Sequence, residues 1–376
     1  MTERGTTIRL ATRGSDLALR QAGTVRERLE QRRLTVDLVE VETTGDQLRD
    51  ELIHRLGTTG AFVRALDEKV LDGDVDAAVH SMKDMPTDQP DDLVVAGIPE
   101  RAAPNDVLVT PDGTELADLP DGATVGTSSL RRRAQLLAER PDLDVQPLRG
   151  NVDTRVEKLL APSLTREYTA RLDAEEAEES DDEDDDGEDA ETEQYDRTVE
   201  EWFDDLAEIE RRALEREVET EYDAICLAEA GLERSGLLHH LQVEHLDPAQ
   251  FVSAPGQGAI AVTALAGDTA ETMQGILDHP RTRVSTTVER TILAELGGGC
   301  VAPVGIYARL QGEVVTTTVR VLGENGSEEV GATRDLPVER HREAAREFAA
   351  DLADQGAATL IEQARRDDPD EAKREQ

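Results

Sequence analysis

Apolar positions in the first third of the chain fall into short runs alternating with one-faced helical patterns. Residues 8–12 read as a strand, and residues 17–32 carry apolar side chains at helical spacing with Ser15 or Asp16 as the N-cap. Residues 34–43 alternate as a strand, 60–71 read as a helix through Phe62, Val63, Leu66 and Val70, and 75–80 read as a strand again. The pattern then repeats. Residues 123–126 form a strand, Thr127-Ser128-Ser129 caps a helix running to Arg140, 143–148 are a strand, Arg149-Gly150-Asn151 opens another helix, and 222–228 are a strand. Such strand-helix-strand order predicts two α/β units with mostly parallel sheets covered on both faces.

Beyond a turn at Ser253-Ala-Pro-Gly-Gln-Gly258 come a strand at 259–265 and a long helix at 283–296. That helix runs into Gly297-Gly-Gly-Cys300. A hairpin-like pair at 304–310 and 313–322 and a helix over 341–366 then complete a smaller α+β unit.

Charge adds to this picture. The 376 residues carry 83 Asp plus Glu against 41 Lys plus Arg, a net −42, which argues against a nucleic-acid ligand. Only Lys69, Lys83, Lys158 and Lys373 are lysines, so the positive charge is almost all arginine. Residues 162–220 hold 26 acidic and 6 basic side chains, a net −20, and are expected to be a solvated, disordered insertion. Its later part, from Val199 through Trp202 and Leu206 to Ile209 and Leu214, has the spacing of an amphipathic helix docked on the body. The remaining −22 is spread over the rest of the chain, as expected of a protein adapted to high salt. An acidic interaction protein is the alternative, and the core-type strands count against it. Two cysteines make no disulfide framework, no run approaches 18 apolar residues, and the first residues show no apolar signal region. We expect a cytoplasmic protein with no membrane or nucleic-acid partner and no metal.

Three strand-to-helix junctions bring arginine to a helix N-terminus: Arg13 before Ser15, Arg131 and Arg132 after Thr127-Ser128-Ser129, and Arg149 with Arg155 around Gly150-Asn151. Helix N-termini present free N–H groups, ligands of open α/β sheets bind at strand carboxyl ends, and guanidinium groups grip carboxylates with two hydrogen bonds. In so acidic a chain this concentration points to a small polyanion. Asp84, in Val79-His80-Ser81-Met82-Lys83-Asp84, would then be the one negative group available to stabilise a cation or exchange a proton in a positive crevice. Read alone, Asp84 is equally a surface carboxylate, and Cys300 equally a buried thiol or an attachment point.

Leu10-Ala-Thr-Arg-Gly-Ser15, His80-Ser-Met-Lys-Asp84, Gly126-Thr-Ser-Ser-Leu-Arg-Arg132, Leu148-Arg-Gly-Asn151 with Thr154-Arg155, Gly256-Gln-Gly258 and Gly298-Gly-Cys300 occur in one order. Over roughly residues 6–160 and 221–365, the chain resembles the porphobilinogen deaminase (hydroxymethylbilane synthase) family. That resemblance implies a transferase of tetrapyrrole and haem biosynthesis. It would join four porphobilinogen molecules head to tail with loss of ammonia and release hydroxymethylbilane. The family builds this product on a dipyrromethane cofactor held by a thioether to the cysteine matching Cys300.

The resemblance implies two α/β domains like type II periplasmic binding proteins, here 1–100 with 254–279 and 101–253, and a third α+β domain, 280–376, carrying the cofactor loop. Asp84 matches the catalytic aspartate. Ser81, Lys83, Thr127, Ser129, Arg131 and Arg132 match cofactor-binding positions, and Arg13, Ser15, Arg149 and Arg155 match substrate-binding ones. A monomer is expected. One departure stands out. Where the family's active-site loop often has glycine-lysine-glycine, this chain has Gly57-Thr58-Thr59-Gly60, so Thr59 lacks that charge and Arg55 is the nearby cation. A solute-binding module for dicarboxylates and an enzyme using Cys300 as nucleophile are the rival readings. The first would leave Cys300 unmodified, and the second lacks a base near Cys300 in sequence.

Overall fold

The protein is described here from a computed structural model covering residues 7–41, 61–181, 195–297 and 302–367. Cys300 and the segment with Arg55 and Thr59 lie outside the described residues. The first unit begins with strand β1 (Thr7–Arg13), helix α1 (Asp16–Glu30), β2 (Thr35–Val41), α2 (Ala61–Leu71), β3 (Ala77–Ser81) and β4 (Leu93–Gly97). The chain then crosses to a second sheet through β5 (Asp106–Thr110), β6 (Thr124–Gly126), α3 (Leu130–Glu139), β7 (Asp144–Gln146) and α4 (Val152–Asp181). Next come α5 (Val199–Asp205), α6 (Glu208–Leu214), β8 (Ala224–Ala228), α7 (Glu229–Ser235) and β9 (Gln242–His245). It returns as β10 (Ile260–Leu265) and α8 (Asp268–Leu277), and ends with α9 (Pro280–Glu295), β11 (Val304–Gln311), β12 (Val314–Leu322), β13 (Glu329–Pro337), α10 (His341–Asp354) and α11 (Ala357–Asp367).

Both five-stranded sheets follow one plan. The first has the order β2-β1-β3-β10-β4 and the second β7-β6-β8-β5-β9. In each, four strands point one way, and the strand next to one edge, β10 or β5, runs antiparallel to its neighbours. Those two strands are the ones that follow the crossings between sheets. Periodicity did not reveal β4, β5 or β9, because a short, fully buried strand such as β5 has no alternation to read.

Helices cover both faces of each sheet. On α1, Gln21, Ala22, Val25 and Leu29 form one buried stripe and pack with Ile8, Leu10 and Val262, while Leu66 and Val70 of α2 pack on the opposite face with Ala11 and Ala78. In the third unit, β11-β12-β13 is an antiparallel sheet packed on α9, α10 and α11 around fully buried Phe348. Its third strand was not foreseen. The single C-terminal helix expected over 341–366 is instead two helices, broken at Gly356, whose φ of +107° a helix cannot continue.

The disorder expected over 162–220 is corrected for the described residues, and 182–194 lie outside them. Helix α4 runs through Pro162 to Asp181, with Leu164 and Ala174 buried, and the expected later helix is two short ones, α5 and α6. Trp202, Leu206, Ile209 and Ala213 join the core formed by Val156, Leu159, Leu160 and Ile225. The docked apolar face read from the spacing of 199–214 is thus present, whereas averaging charge over the whole stretch hid the buried positions of α4, and one apolar stripe is enough to dock a helix whatever its outer face carries.

Candidate active site

The expected site residues lie at the carboxyl ends of the parallel strands of the two sheets. Arg13 ends β1, and Ser15 is the N-cap of α1, although its hydroxyl makes no capping bond. β3 ends at Ser81 and passes at once into a single 3-10 turn, Met82–Asp84. Met82 is buried beneath that turn, leaving Lys83 half-buried and Asp84 exposed. Within its own unit the turn is held by Met82 N donating to Ala259 O (3.0 Å), and from the third unit by Arg290 of α9 donating to the carbonyls of Met85 (3.1 Å) and Pro86 (2.6 Å). His80 sits inside the sheet as expected, its Nε2 within 2.9 Å of both Asp67 and Thr263.

In the second sheet, Thr127 follows β6, its hydroxyl accepts from Ser129 N (3.3 Å), and the Ser129 hydroxyl caps α3 by accepting from Arg132 N (3.4 Å). Ser128 ties this junction to the next by donating to Leu148 O. Arg149 follows β7, its carbonyl accepting from Lys158 Nζ (3.3 Å), and Arg155 lies in the first turns of α4 with Nε donating to Gly150 O (2.8 Å).

Lys83 and Asp84 from the first unit meet Arg132 and Arg155 from the second. Asp84 favours the charged form of Lys83, but crowding by protein and the guanidinium groups of Arg132 and Arg155 outweigh it and hold the Lys83 pKa below the usual lysine range. Arg155 is brought down to about 10 by burial first and then by Arg132, with Asp84 opposing. Both Lys83 and Arg155 keep solvent access despite this crowding, as groups lining a cleft do. A polycarboxylate bound among these groups would relieve the mutual repulsion that lowers both pKa values.

Arg131 and Arg132 also serve the crossing between units. Buried Asp106, at the start of β5, accepts from Arg131 Nη1 (2.5 Å) through Oδ2 and from Arg132 Nε (2.8 Å) through Oδ1. Arg131 reaches Val252 O (2.8 Å) as well, and Gln257 donates to Asp106 Oδ1 (2.9 Å) and Pro104 O (2.6 Å) while both arginines approach its carbonyl oxygen. Burial would raise the Asp106 pKa, yet the two guanidinium groups and the Gln257 amide bring it down to about 2. Arg131 Nε remains buried without a hydrogen-bond partner among the described residues. A second hub, fully buried Glu289 of α9, accepts from Arg101 (2.6 Å), Gly256 N (2.7 Å) and Ala308 N (2.9 Å), joining the third unit to both crossings.

Asp106, Gln257, Glu289 and Arg290 were not singled out from the sequence, apart from Gln257 as part of Gly256-Gln-Gly258. Nothing local marks a buried carboxylate whose partners lie far away in the chain. The gathering of guanidinium and ammonium groups and the buried Arg131 Nε, which has no hydrogen-bond partner among the described residues, fit a carboxylate-rich cofactor such as dipyrromethane.

The profile described as "Porphobilinogen deaminase, dipyromethane cofactor binding domain" matches residues 8–175 and 208–273, and that described as "Porphobilinogen deaminase, C-terminal domain" matches 284–354. A Halobacterium salinarum protein named probable porphobilinogen deaminase is 54% identical over 95% of this chain and 98% of its own. One from Methanococcoides burtonii with the same name is 36% identical over 94% and 96%, and the porphobilinogen deaminase of Syntrophobacter fumaroxidans is 35% identical over 96% and 99%. With two matched domains that take in both sheets, the cleft residues and the third unit, this chain belongs to the porphobilinogen deaminase family.

Proposed function

We propose that this chain condenses four porphobilinogen molecules head to tail, releasing ammonia at each addition, and frees hydroxymethylbilane, with Asp84 as the catalytic carboxylate and Cys300 as the cofactor attachment point. The observation that carries this reading is the closeness of Lys83 and Asp84 of the first unit to Arg132 and Arg155 of the second, near enough for these charges to act on one another. When bound, dipyrromethane supplies the pyrrole carbon on which the units are added.

The residues divide the work. Each pyrrole carries an acetate and a propionate, so Arg13, Ser15, Arg149 and Arg155 hold substrate carboxylates, and Ser81, Lys83, Thr127, Ser129, Arg131 and Arg132 hold those of the cofactor. Loss of ammonia leaves a cationic azafulvene, and Asp84 lies beside this otherwise positive site where its carboxylate lowers the energy of that cation. Buried Asp106 fixes Arg131 and Arg132, so the cofactor meets guanidinium groups already oriented. The protein is taken to act as a monomer in the cytoplasm.

Intact mass tests the attachment. Cys226 is fully buried, and burial pushes its thiol up to about 12, so it is not a reactive competitor. The purified protein should exceed its sequence mass by one dipyrromethane, and Cys300→Ser should return it to the sequence mass. An unmodified mass in an active preparation would remove Cys300 from the mechanism.

A further inference from the structure

The segment at and just after α6 sends two arginines back onto helix α4. Glu157 lies on α4 two residues after Arg155 and is only 1% exposed. Its Oε1 accepts from Arg212 and its Oε2 from Arg216, whose Nε stands at 2.7 Å. Both arginines belong to the segment at and just after α6, and each remains partly open to solvent.

Other contacts seat the same segment. Ile209 and Ala213 of α6 enter the core beside Val156 and Leu160 of α4. Upstream, Val199 N donates to Glu175 (2.6 Å), Tyr168 stacks on Trp202 at 6.2 Å, and Arg171 lies over the Trp202 ring at 5.2 Å. A surface ion pair is worth little, but a buried carboxylate gripped by two guanidinium groups fixes the rotation of the helix that bears it. The helix so fixed is the one that carries Arg155 one half-turn before Glu157.

Arg212 has a second neighbour of consequence. Burial, with the nearby charges of Asp16 and Glu157, holds the Asp153 carboxyl in the first turn of α4 above its usual range, and Arg212 and Arg20 stand close enough to oppose that rise. Asp16 belongs to α1, so Arg212 joins Arg20 of α1 as a positive group where acids of the first and second units come near each other.

We propose that Glu157, Arg212 and Arg216 are positioning residues: the segment at and just after α6 braces the start of α4 and thereby sets how well Arg155 receives substrate carboxylates. This rests on the substrate-binding role given to Arg155 above. Removing the brace should weaken ground-state and transition-state binding alike, raising KM and leaving kcat nearly unchanged.

The test uses the full-length holoenzyme in molar KCl and the triple variant Glu157→Met, Arg212→Met, Arg216→Met, which removes the charges together and leaves none buried alone. The variant is expected to melt cooperatively, to carry its cofactor by mass, and to show KM for porphobilinogen raised on the order of 10-fold. Arg155→Met is measured beside it, and the combined variant should have a KM little above that of Arg155→Met, because the brace acts through that arginine. A normal KM in the folded triple variant overturns the brace alone, as does a combined effect equal to the sum. A normal KM in Arg155→Met overturns the substrate role of Arg155 and the brace with it. If the triple variant does not fold, the pair Arg212→Lys and Arg216→Lys reads the same split: charge without the fork should raise KM, and an unchanged KM overturns the proposal.

Discussion

Two aspartates near the cleft act in opposite ways because of where they sit. Asp84 is exposed on a one-turn 3-10 helix, so its removal leaves no cavity and breaks no buried network. Asp84→Ala should therefore retain the wild-type melting transition while the rate falls on the order of 10² to 10³, the usual loss when a single transition-state electrostatic partner is removed. Near-normal turnover in steady-state assays would refute its role. Asp106 is buried with two arginines, and its folded pKa of about 2 lies below the usual 3.8. A depressed folded pKa means stability that is fully present above the unfolded value and is lost as pH falls toward 2. The shift corresponds to about 2 kcal/mol. Asp106→Asn should thus be less stable than wild type at pH 7, and the difference should shrink as pH falls from about 4 toward 2. Denaturant melts across that range measure it, and a gap independent of pH would contradict the assignment.

Among the elements, the two crossings between sheets carry a tight geometric constraint. Gly258 has φ +80°, and a Cβ there would stand 2.6 Å from Ala102 O on the other crossing. Ala102 N donates to Gly258 O (3.1 Å), and Arg234 of α7 donates to the same carbonyl (2.6 Å). Gly258→Ala should destabilise by roughly 1–3 kcal/mol, from a strained φ and a backbone clash together. Thermal melts would show it, and a wild-type midpoint would mean that the crossings tolerate separation. Such close approach also explains why Gln257 can serve Pro104, Asp106 and both arginines at once: its neighbour leaves the backbones no room to part.

At the scale of the whole molecule, the charge of −42 is the dominant fact. The insertion accounts for −20 of it, so even without that stretch the body repels itself. Counterions shorten the reach of this repulsion from about 10 Å at 0.1 M salt to about 3 Å at 1 M. Buried pairs such as Asp106 with Arg131 are screened far less. We therefore expect the melting temperature and activity to rise from dilute buffer toward molar KCl. A maximum in dilute buffer would exclude the salt-adapted reading.

Much of this was legible before any coordinates. The α/β character, most strands of the two sheets, the capped helix starts at Ser15 and Ser129 and the positions of Lys83, Asp84, Arg132 and Arg155 follow from local patterns, because a cap, a strand end and a one-faced helix are each written within a few residues. Their meeting in one cleft was not written there. It depends on β5 and β10 crossing between sheets and on Asp106, Gln257 and Glu289, buried polar groups whose partners are brought near by folding alone. The insertion makes the same point in reverse. Its charge reads as solvation along the sequence and its spacing already marks Trp202 and Ile209 as a docked face, whereas the pairing of Arg212 and Arg216 with Glu157 exists only beside α4, since pairing is a property of neighbours in space.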